Sequence, residues 1–309
     1  MIYPIKDPIA AHDFILMEGA VIEILRRDGK VSFHPELIHA PLIYDTEGSK
    51  ELASIFKAYL NVAQKKDIPY IMCTPTWRAN KANVRKSGIQ ESVNRDAVRF
   101  MEKLREEAGN FGTKIMIGGT VGPKNDCYTP SAGLSKEEAE EFHAWQLSEL
   151  QKGGVDFIIA ETIPNVQEAL GIACAAAKLN LDYIISFVIS RNGKILDGTD
   201  IGDAITLIDT QVSKVPLGYA VNCAHPSFLC ADRQPKGVFD RLIAYLANAS
   251  SLDHCDLENS DCLHVDDVAD WGDEMLRLNR EFGIRILGGC CGTDQRHLEY
   301  LTKDHALMP

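Results

Sequence analysis

Short, continuous apolar runs recur along the whole chain, and they constrain its fold more than any other feature. Most are four to six residues long and lack the polar alternation of a strand with one face in water. Such runs are typical of parallel strands that are covered on both faces. We predict eight strands on this basis: Phe14–Met17, Tyr70–Thr74, Lys114–Gly118, Val155–Ala160, Tyr183–Val188, Leu217–Asn222, Leu242–Leu246 and Ile284–Leu287.

Longer segments with helical periodicity lie between these runs. In Lys50–Lys66, for example, apolar residues recur at the spacing that places them on one face of a helix. The sequence SKEE at 135–138 predicts a capping box at the start of another helix. The other predicted helices are Ile89–Ala108, Ser135–Lys152, Asn165–Leu179, Gly202–Val212 and Val265–Phe282. This alternation favours a (β/α)8 (TIM) barrel, which we predict to be a single domain over residues 1–309.

Two segments do not fit the alternation. Residues 28–50 form a long connection after the first strand, and residues 247–264 are polar and irregular. A long loop of the second kind is more often functional or mobile than a packed element. Neither a G-x-G-x-x-G sequence on a strand nor a P-loop occurs, so the usual nucleotide-binding motifs are absent.

Charge and composition limit the environment and the partners of the chain. Its net charge of -12 disfavours nucleic acid and anionic membranes as partners. The N-terminus lacks the pattern of a signal peptide, and no apolar stretch approaches the roughly 18 residues that span a bilayer. We therefore expect a cytoplasmic protein that binds neither nucleic acid nor membrane. The lack of a long C-terminal arm favours a monomer or a small homo-oligomer.

The nine cysteines point to metal binding or catalysis rather than to a disulfide scaffold. Their number is odd, and their spacing is not that of a disulfide framework. Thiols also stay reduced in the cytosol. Cysteine is often buried as a small hydrophobe, however, and we assign that inert role to four of them: Cys73, Cys127, Cys174 and Cys230.

Three cysteines follow two of the predicted strands. Cys223 comes directly after the sixth strand, and Cys290 and Cys291 come after the eighth. The carboxyl ends of barrel strands share one rim, where catalytic groups of this fold lie. Three thiolates leave one tetrahedral position of a zinc ion open, as in catalytic zinc sites. On spacing alone, this zinc site and three inert cysteines remain about equally plausible, because the set contains no compact C-x-x-C pair.

Other strand ends carry candidate binding groups, each with a structural alternative. Glu161, after the fourth strand, could attract a substrate ammonium or form a salt bridge within the barrel. Trp77, after the second, could offer an aromatic face to a cation or pack in the core. His225 is interpreted as a structural side chain beside Pro226. A second metal site is a minor possibility in the irregular loop, formed by His254, Cys255, Cys262 and His264.

Several motifs together resemble the homocysteine S-methyltransferase family, which includes the betaine–homocysteine methyltransferases. VNCAHP at 221–226 and GGCCGT at 288–293 look like the zinc signature of that family. IGGTVGP at 117–123, FIIAETIPNVQEA at 157–169 and ISFVISRNGKILDGTDIGDAI at 185–205 resemble further family segments. The correspondence covers most of the chain and is strongest from about residue 114 to residue 300.

The resemblance implies a zinc-dependent methyltransferase with a (β/α)8 barrel. Its zinc would be held by Cys223, Cys290 and Cys291, and a small onium donor (S-methylmethionine, S-adenosylmethionine or a betaine) would methylate homocysteine to methionine. The resemblance further implies that Glu161 binds the amino-acid ammonium and that Asn222 supports the cysteine loop. The Glu18-Gly19-Ala20 segment would lie at the amino-acid end of the acceptor.

The chain departs from the family pattern at two strand ends. Glu18 stands where the family usually has aspartate, and the M-x-T-E-L sequence that follows in the family is replaced by Val21–Leu25. The sequence around Trp77 also differs from the usual one. A different thiol acceptor or donor therefore remains an alternative, as does a barrel that binds zinc or methylated compounds without turnover. We expect that no folate- or cobalamin-binding domain follows the barrel, and we therefore expect a small free donor.

Overall fold

Eight parallel strands close into a barrel in the computed structural model, which describes residues 5–253 and 263–305. Each strand pairs with its neighbours in chain order, and β1 pairs with β8. The strands are β1 Ile15–Met17, β2 Tyr70–Cys73, β3 Ile115–Val121, β4 Phe157–Ile163, β5 Tyr183–Phe187, β6 Gly218–Ala224, β7 Leu242–Ala247 and β8 Ile286–Gly289. The predicted (β/α)8 barrel is therefore confirmed, while the assignment of residues 1–309 to one domain stays a prediction.

Helices surround the barrel. In the described part of the chain they are α1 Lys6–Ala11, α2 Ile22–Asp28, α3 Thr46–Lys65, α4 Lys81–Ser87, α5 Val93–Glu107, α6 Lys136–Gly153, α7 Val166–Lys178, α8 Ile201–Gln211, α9 Val268–Phe282 and α10 Gln295–Leu301. The predicted capping box is present, because the Ser135 side chain accepts from Glu138 N–H and the Glu138 carboxylate accepts from Ser135 N–H. Between β6 and β7 the connection contains only 3₁₀ turns among residues 226–238. None of the described helices is long and apolar enough to cross a bilayer.

Every strand contributes side chains to two hydrophobic cores, one inside the barrel and one under the helices, and this explains the continuous apolar runs. Ile15 and Met17 face the barrel interior, whereas Leu16 between them packs in the layer under the helices. The same alternation continues around the barrel, so both faces of each strand are buried. The runs predicted all eight strands for this reason.

Five strands extend past their predicted C-terminal ends, whereas β2 and β5 end one residue earlier than predicted. β3 continues to Val121, β4 to Ile163 and β6 to Ala224. The added stretches of β3 and β4 include glycine and polar residues (Gly119, Thr120, Glu161 and Thr162), which interrupt the apolar runs before the strands end. Hydrophobicity alone therefore underestimates the length of these strands at the barrel mouth.

The two segments outside the alternation are connections, as expected. Within 28–50, an isolated bridge joins His34 to Ile38, and a 3₁₀ helix covers Ala40–Tyr44 before α3 begins. Asp45 caps α3 by accepting from Gly48 N–H at 2.5 Å, so the helix starts earlier than its apolar stripe. After Ala247, residues 248–253 and 263–264 form neither helix nor strand.

The short helices α1, α2, α4 and α10 were not predicted, because each has too few turns to show a clear helical periodicity.

A buried ion pair ties the outer helices to the barrel. Arg105 on α5 donates to Asp156 at 2.7 Å, and the same carboxylate accepts from Ile117 N–H at 2.8 Å. Both side chains are almost fully buried. Removing the Arg105 guanidinium takes the opposite charge away from a carboxylate that stays buried in a low-dielectric interior.

We therefore expect Arg105→Met to lower the free energy of unfolding by about 3–5 kcal/mol. The matched control is Arg99→Met on the same helix, whose ion pair with Asp96 is exposed. We expect that variant to lose at most about 1 kcal/mol. Urea denaturation of the three proteins measures both values, and equal losses would contradict the assigned role of the buried pair.

Candidate functional site

A cavity of about 430 Å³ opens at the C-terminal ends of the strands. Among the residues that line it are all nine that sequence analysis proposed for metal or substrate: Glu18, Gly19, Ala20, Trp77, Glu161, Asn222, Cys223, Cys290 and Cys291. These residues come from five different strand ends. The barrel therefore brings together a set that is spread over most of the chain.

Three cysteine sulfurs converge in this cavity. The Sγ atoms of Cys223, Cys290 and Cys291 all lie within 4.8 Å of one another, and those of Cys223 and Cys290 are 2.9 Å apart. Within residues 5–253 and 263–305, no other group of three potential metal ligands is this compact. None of the three cysteines forms a disulfide bond.

Cys223 reaches the cluster because β6 is irregular at its end. The pairing of β6 with β7 shifts register between Asn222 and Ala224, and Cys223 has a positive φ of 54°. A bulge of this kind turns a side chain away from the regular alternation. A positive φ costs energy for any residue except glycine, and such strain is concentrated at functional sites.

The buried Asn222 side chain joins three strand ends beside this bulge. Its Oδ1 atom accepts from Thr162 N–H at 2.9 Å and from Ser186 Oγ at 2.7 Å. Its Nδ2 atom lies 3.5 Å from the Cys223 sulfur, to which it donates. The support of the cysteine loop that the resemblance implies for Asn222 stays a prediction.

The loop after β8 brings Cys290 and Cys291 to the same point. Gly289 is required there, because a Cβ atom would lie 2.1 Å from Thr293 Oγ1. Thr293 accepts from Ala20 N–H at 3.1 Å and donates to the Cys290 carbonyl at 2.7 Å. This hydroxyl therefore connects the end of β1 to the cysteine loop.

The donor chemistry of the cluster fits a zinc ion. The pKa of Cys223 is raised well above that of a free thiol, first by hydrogen bonds with the other two thiols and then by burial. Three thiolates so close together need a cation to balance their charge. Three sulfur ligands suit zinc, and Cys291 is exposed toward the cavity where a fourth ligand could enter.

Two carboxyl groups line the same cavity. Burial raises the pKa of Glu161 to about 7, and its carboxylate forms no hydrogen bond or ion pair within the described residues. Burial also raises the pKa of Glu18 well above its usual value, although this carboxylate accepts from Cys73 N–H at 2.6 Å. Nearby Glu161 raises the pKa of Glu18 further. An uncompensated pair of acids in a cavity is suited to bind a cation.

The end of β4 repeats the irregularity seen in β6. Its pairing with β5 shifts register between Ala160 and Ile163, and Thr162 has a positive φ of 60°. Thr162 Oγ1 accepts from Trp77 Nε1 at 2.8 Å, which fixes the indole ring against the end of β4. The Arg78 guanidinium lies 4.7 Å from the centre of that ring. A ligand cation would therefore use the opposite face of Trp77.

Gly19 and Ala20 line the cavity, and the backbone groups of Ala20 are engaged within the protein. Ala20 N–H donates to Thr293, and the Ala20 carbonyl accepts from Tyr59 OH at 2.6 Å. A Cβ atom at Gly19 would lie 3.0 Å from the Tyr59 hydroxyl. These residues shape the cavity wall beside Glu18.

The loop between β3 and α6 forms one wall of the cavity, and sequence analysis did not predict it. Cys127, which was assigned an inert role, and Tyr128 both line the cavity. The thiols of the cluster are close enough to Tyr128 to raise the pKa of its phenol, with Cys223 making the largest contribution. The signal available in the sequence was the length of this loop, since long loops at the C-terminal face of such barrels form their active sites.

The same loop is held in place by side chains from two directions. Arg78 donates to the carbonyl oxygens of Pro123, Lys124 and Asn125 at 3.0–3.1 Å. Glu168 accepts from Lys124 N–H at 2.9 Å and from Leu134 N–H at 3.2 Å, near the two ends of the loop. The wall that carries Tyr128 is thus anchored to α7 and to the β2 end.

His225 has the structural role that the sequence suggested. Its ring caps the 3₁₀ turn Pro226–Leu229 by accepting from Ser227 N–H at 3.3 Å. His264 lines the cavity, but His254, Cys255 and Cys262 lie outside the described residues. The second metal site therefore stays untested.

Comparison with known proteins supplies the family. A family model described as homocysteine S-methyltransferase matches residues 15–304. The chain belongs to the homocysteine S-methyltransferase family. The sequence resemblance is therefore confirmed, and with it membership of a family of methyltransferase enzymes.

Individual relatives are distant. The homocysteine S-methyltransferase YbgG of Bacillus subtilis is 26% identical over 197 residues, which cover 60% of each chain. Homocysteine S-methyltransferase 2 of Saccharomyces cerevisiae is 22% identical and covers 93% of this chain and 92% of its own. A crystal structure of the homocysteine methyltransferase MmuM from Escherichia coli, in its metallated form, has a TM-score of 0.74 at 20% identity. It covers 97% of this chain and 99% of its own, and it shows that the two share a fold.

The raised pKa of Glu161 leads to a prediction about stability. Its ordinary value is 4.5, and in the folded protein it is about 7. The unfolded chain therefore ionises first, and stability is lost as the pH rises from about 4.5 to about 7. In the metal-free protein, we expect Glu161→Gln to raise the melting temperature at pH 8 and to raise it less at pH 5.

Thermal denaturation at the two pH values measures this difference. The control is Glu106→Gln, an exposed residue of α5, for which we expect the same melting temperature as the wild type at both pH values. A Glu161→Gln variant that is no more stable than the wild type at pH 8 would contradict the uncompensated burial of this acid.

Proposed function

We propose that this protein is a zinc-dependent S-methyltransferase that methylates the thiol of homocysteine and so forms methionine. The methyl donor is a small onium compound: S-methylmethionine, S-adenosylmethionine or a betaine. The observation that carries the proposal is the convergence of three cysteine sulfurs within 4.8 Å of one another, in a cavity that also contains two half-buried carboxyl groups. Family membership supports the reaction class.

The cysteines supply the metal site. Cys223, Cys290 and Cys291 would hold the ion and leave one position for the acceptor sulfur. When bound, zinc is a Lewis acid that lowers the pKa of a coordinated thiol, so that the acceptor is nucleophilic at neutral pH. Asn222 holds Cys223 through its Nδ2 contact, and Thr293 holds the Cys290 carbonyl. Cys223 and Cys290 are thus oriented before a ligand arrives.

The two acids select an acceptor with a free amino group. Ionised Glu161 attracts an ammonium group, and Glu18 adds negative charge on the adjoining strand end. A bound ammonium lowers the pKa of both carboxyl groups and so favours their ionised forms. The acceptor is held by its ammonium at one end and its sulfur at the other, which fixes the direction of attack.

The rest of the cavity accommodates the donor. Trp77 is held by Thr162 and offers the face opposite Arg78 to a cationic sulfur or nitrogen. The acceptor sulfur forms a bond to the methyl carbon while the bond between that carbon and the cationic atom breaks. The electron pair of the broken bond neutralises the donor, and the thiol proton is released to solvent. The largely apolar wall keeps competing water from the methyl group.

The experiment should also include other acceptors, because Glu18 is one methylene longer than the aspartate of the family pattern. A relative from Brassica oleracea, 24% identical over 172 residues, is named selenocysteine Se-methyltransferase. A shorter acceptor such as selenocysteine or cysteine would bring its ammonium closer to the cluster, where the longer Glu18 side chain could reach it. A cytoplasmic location and a monomeric or small homo-oligomeric state stay predictions.

The direct test combines zinc analysis with turnover. We expect wild-type protein, purified under reducing conditions, to contain about one zinc ion per chain and to form methionine from homocysteine with at least one of the three donors. Cys290→Ala should lose both zinc and turnover, because two sulfur ligands do not complete the site. The control is Cys174→Ala on α7, which does not line the cavity and should retain both.

The outcomes separate the parts of the proposal. Wild-type protein without zinc would overturn the metal site. Zinc without any methylated product from homocysteine would overturn the acceptor, and product from selenocysteine or cysteine in the same assay would replace it. Zinc without turnover of any acceptor would favour a binding barrel instead of an enzyme.

A further inference from the structure

The peptide group between Cys291 and Gly292 forms hydrogen bonds through both its carbonyl oxygen and its N–H. The Cys291 carbonyl accepts from Ala249 N–H at 2.9 Å, and Gly292 N–H donates to the carboxylate of Glu23. This peptide directly follows the Cys291 Cα atom, so its orientation limits the directions open to the Cys291 side chain. Gly292 has a φ of 84°, which disfavours any residue with a side chain there.

The carboxylate that holds Gly292 is itself fixed. Glu23 lies in the first turn of α2, which begins immediately after the cavity segment Glu18-Gly19-Ala20. Its Oε1 atom accepts from Arg27 Nη2 at 2.8 Å, one helical turn later, while Oε2 accepts from Gly292 N–H. The Glu23 side chain is 20% exposed, so solvent screens these contacts only in part. Both carboxylate oxygens are therefore committed to contacts within the protein.

We infer that Glu23 is a positioning residue for the metal site and that it orients Cys291 through the Gly292 amide. This inference rests on the proposed function, because it assigns Glu23 a role toward the zinc that the three cysteines would hold. Glu23 belongs to the segment that departs from the M-x-T-E-L pattern of the family. The departure at the end of β1 thus has a function at the end of β8, 269 residues away in the sequence.

The expected size of the effect follows from the way metal sites are built. Partners that orient the ligands, without touching the metal, typically change metal affinity by about 10–100-fold when they are removed. A carboxylate that accepts from a backbone N–H also forms a stronger hydrogen bond than a neutral acceptor does. We therefore expect Glu23→Ala to weaken zinc binding by about 10–100-fold. Glu23→Gln should retain most of the affinity, because its amide oxygen can still accept from Gly292.

The measurement is the zinc dissociation constant of each full-length variant. It is obtained under reducing conditions and without substrate, by competition with a chromophoric chelator. Arg27→Met adds a second variant that leaves the carboxylate in place but removes its anchor, and we expect an intermediate loss. The matched control is Glu281→Ala, which removes an exposed Glu–Arg pair with the same i,i+4 spacing from α9. Thermal denaturation of the metal-free proteins shows whether each variant is folded.

Wild-type affinity in Glu23→Ala, with the protein folded, would overturn the inference. An equal loss in Glu281→Ala would also overturn it, because the effect would then be one of general stability. If Glu23 instead contacted the substrate, the KM of the acceptor would rise while zinc affinity stayed unchanged. Failure of the proposed function looks different: wild-type protein would itself bind no zinc, and this inference would fail with it.

Discussion

The site at the mouth of this barrel depends on the close approach of three thiol groups, which do not attract one another. As free thiolates they would repel one another, and in the metal-free state burial and shared hydrogen bonds keep the pKa of Cys223 high. The backbone holds them together from several sides. A register shift in β6 turns Cys223 inward, and the loop after β8 presents Cys290 and Cys291. Asn222 and Thr293 then join these two strand ends to their neighbours.

The carboxyl groups of the cavity are likewise held in positions where the protein alone disfavours their charge. Glu161 has no hydrogen-bonding or ionic partner in the described residues, and its burial disfavours its charged form. A protein selected only for stability would have no reason to keep such a group. Its position beside a second acid is explained if a cationic ligand completes the site. The strained backbone at Thr162 and Cys223 lies directly beside these groups, which is where stability is commonly exchanged for function.

Much of this architecture could be predicted from the sequence, because both faces of every strand are buried. Continuous apolar runs therefore identified all eight strands, and the rule that barrel sites lie at strand ends then selected nine of the residues that line the cavity. The register shifts at Thr162 and Cys223 could not be predicted, since they depend on pairing between strands that are distant in sequence. The loop wall around Tyr128 and the contact between Glu23 and Gly292 were missed for a related reason. Both are set by tertiary geometry that leaves no local periodic signal.

The central claim is that three cysteine sulfurs hold a metal and leave one position for the acceptor sulfur. X-ray absorption at the zinc edge tests it most directly, because it counts the sulfur atoms bound to the ion with and without homocysteine. The account predicts three sulfur ligands in the resting protein and four after homocysteine is added, with no such increase for homoserine, which lacks the sulfur. A sulfur count that stays at three with saturating homocysteine, or a resting site with fewer than three sulfur ligands, would contradict it.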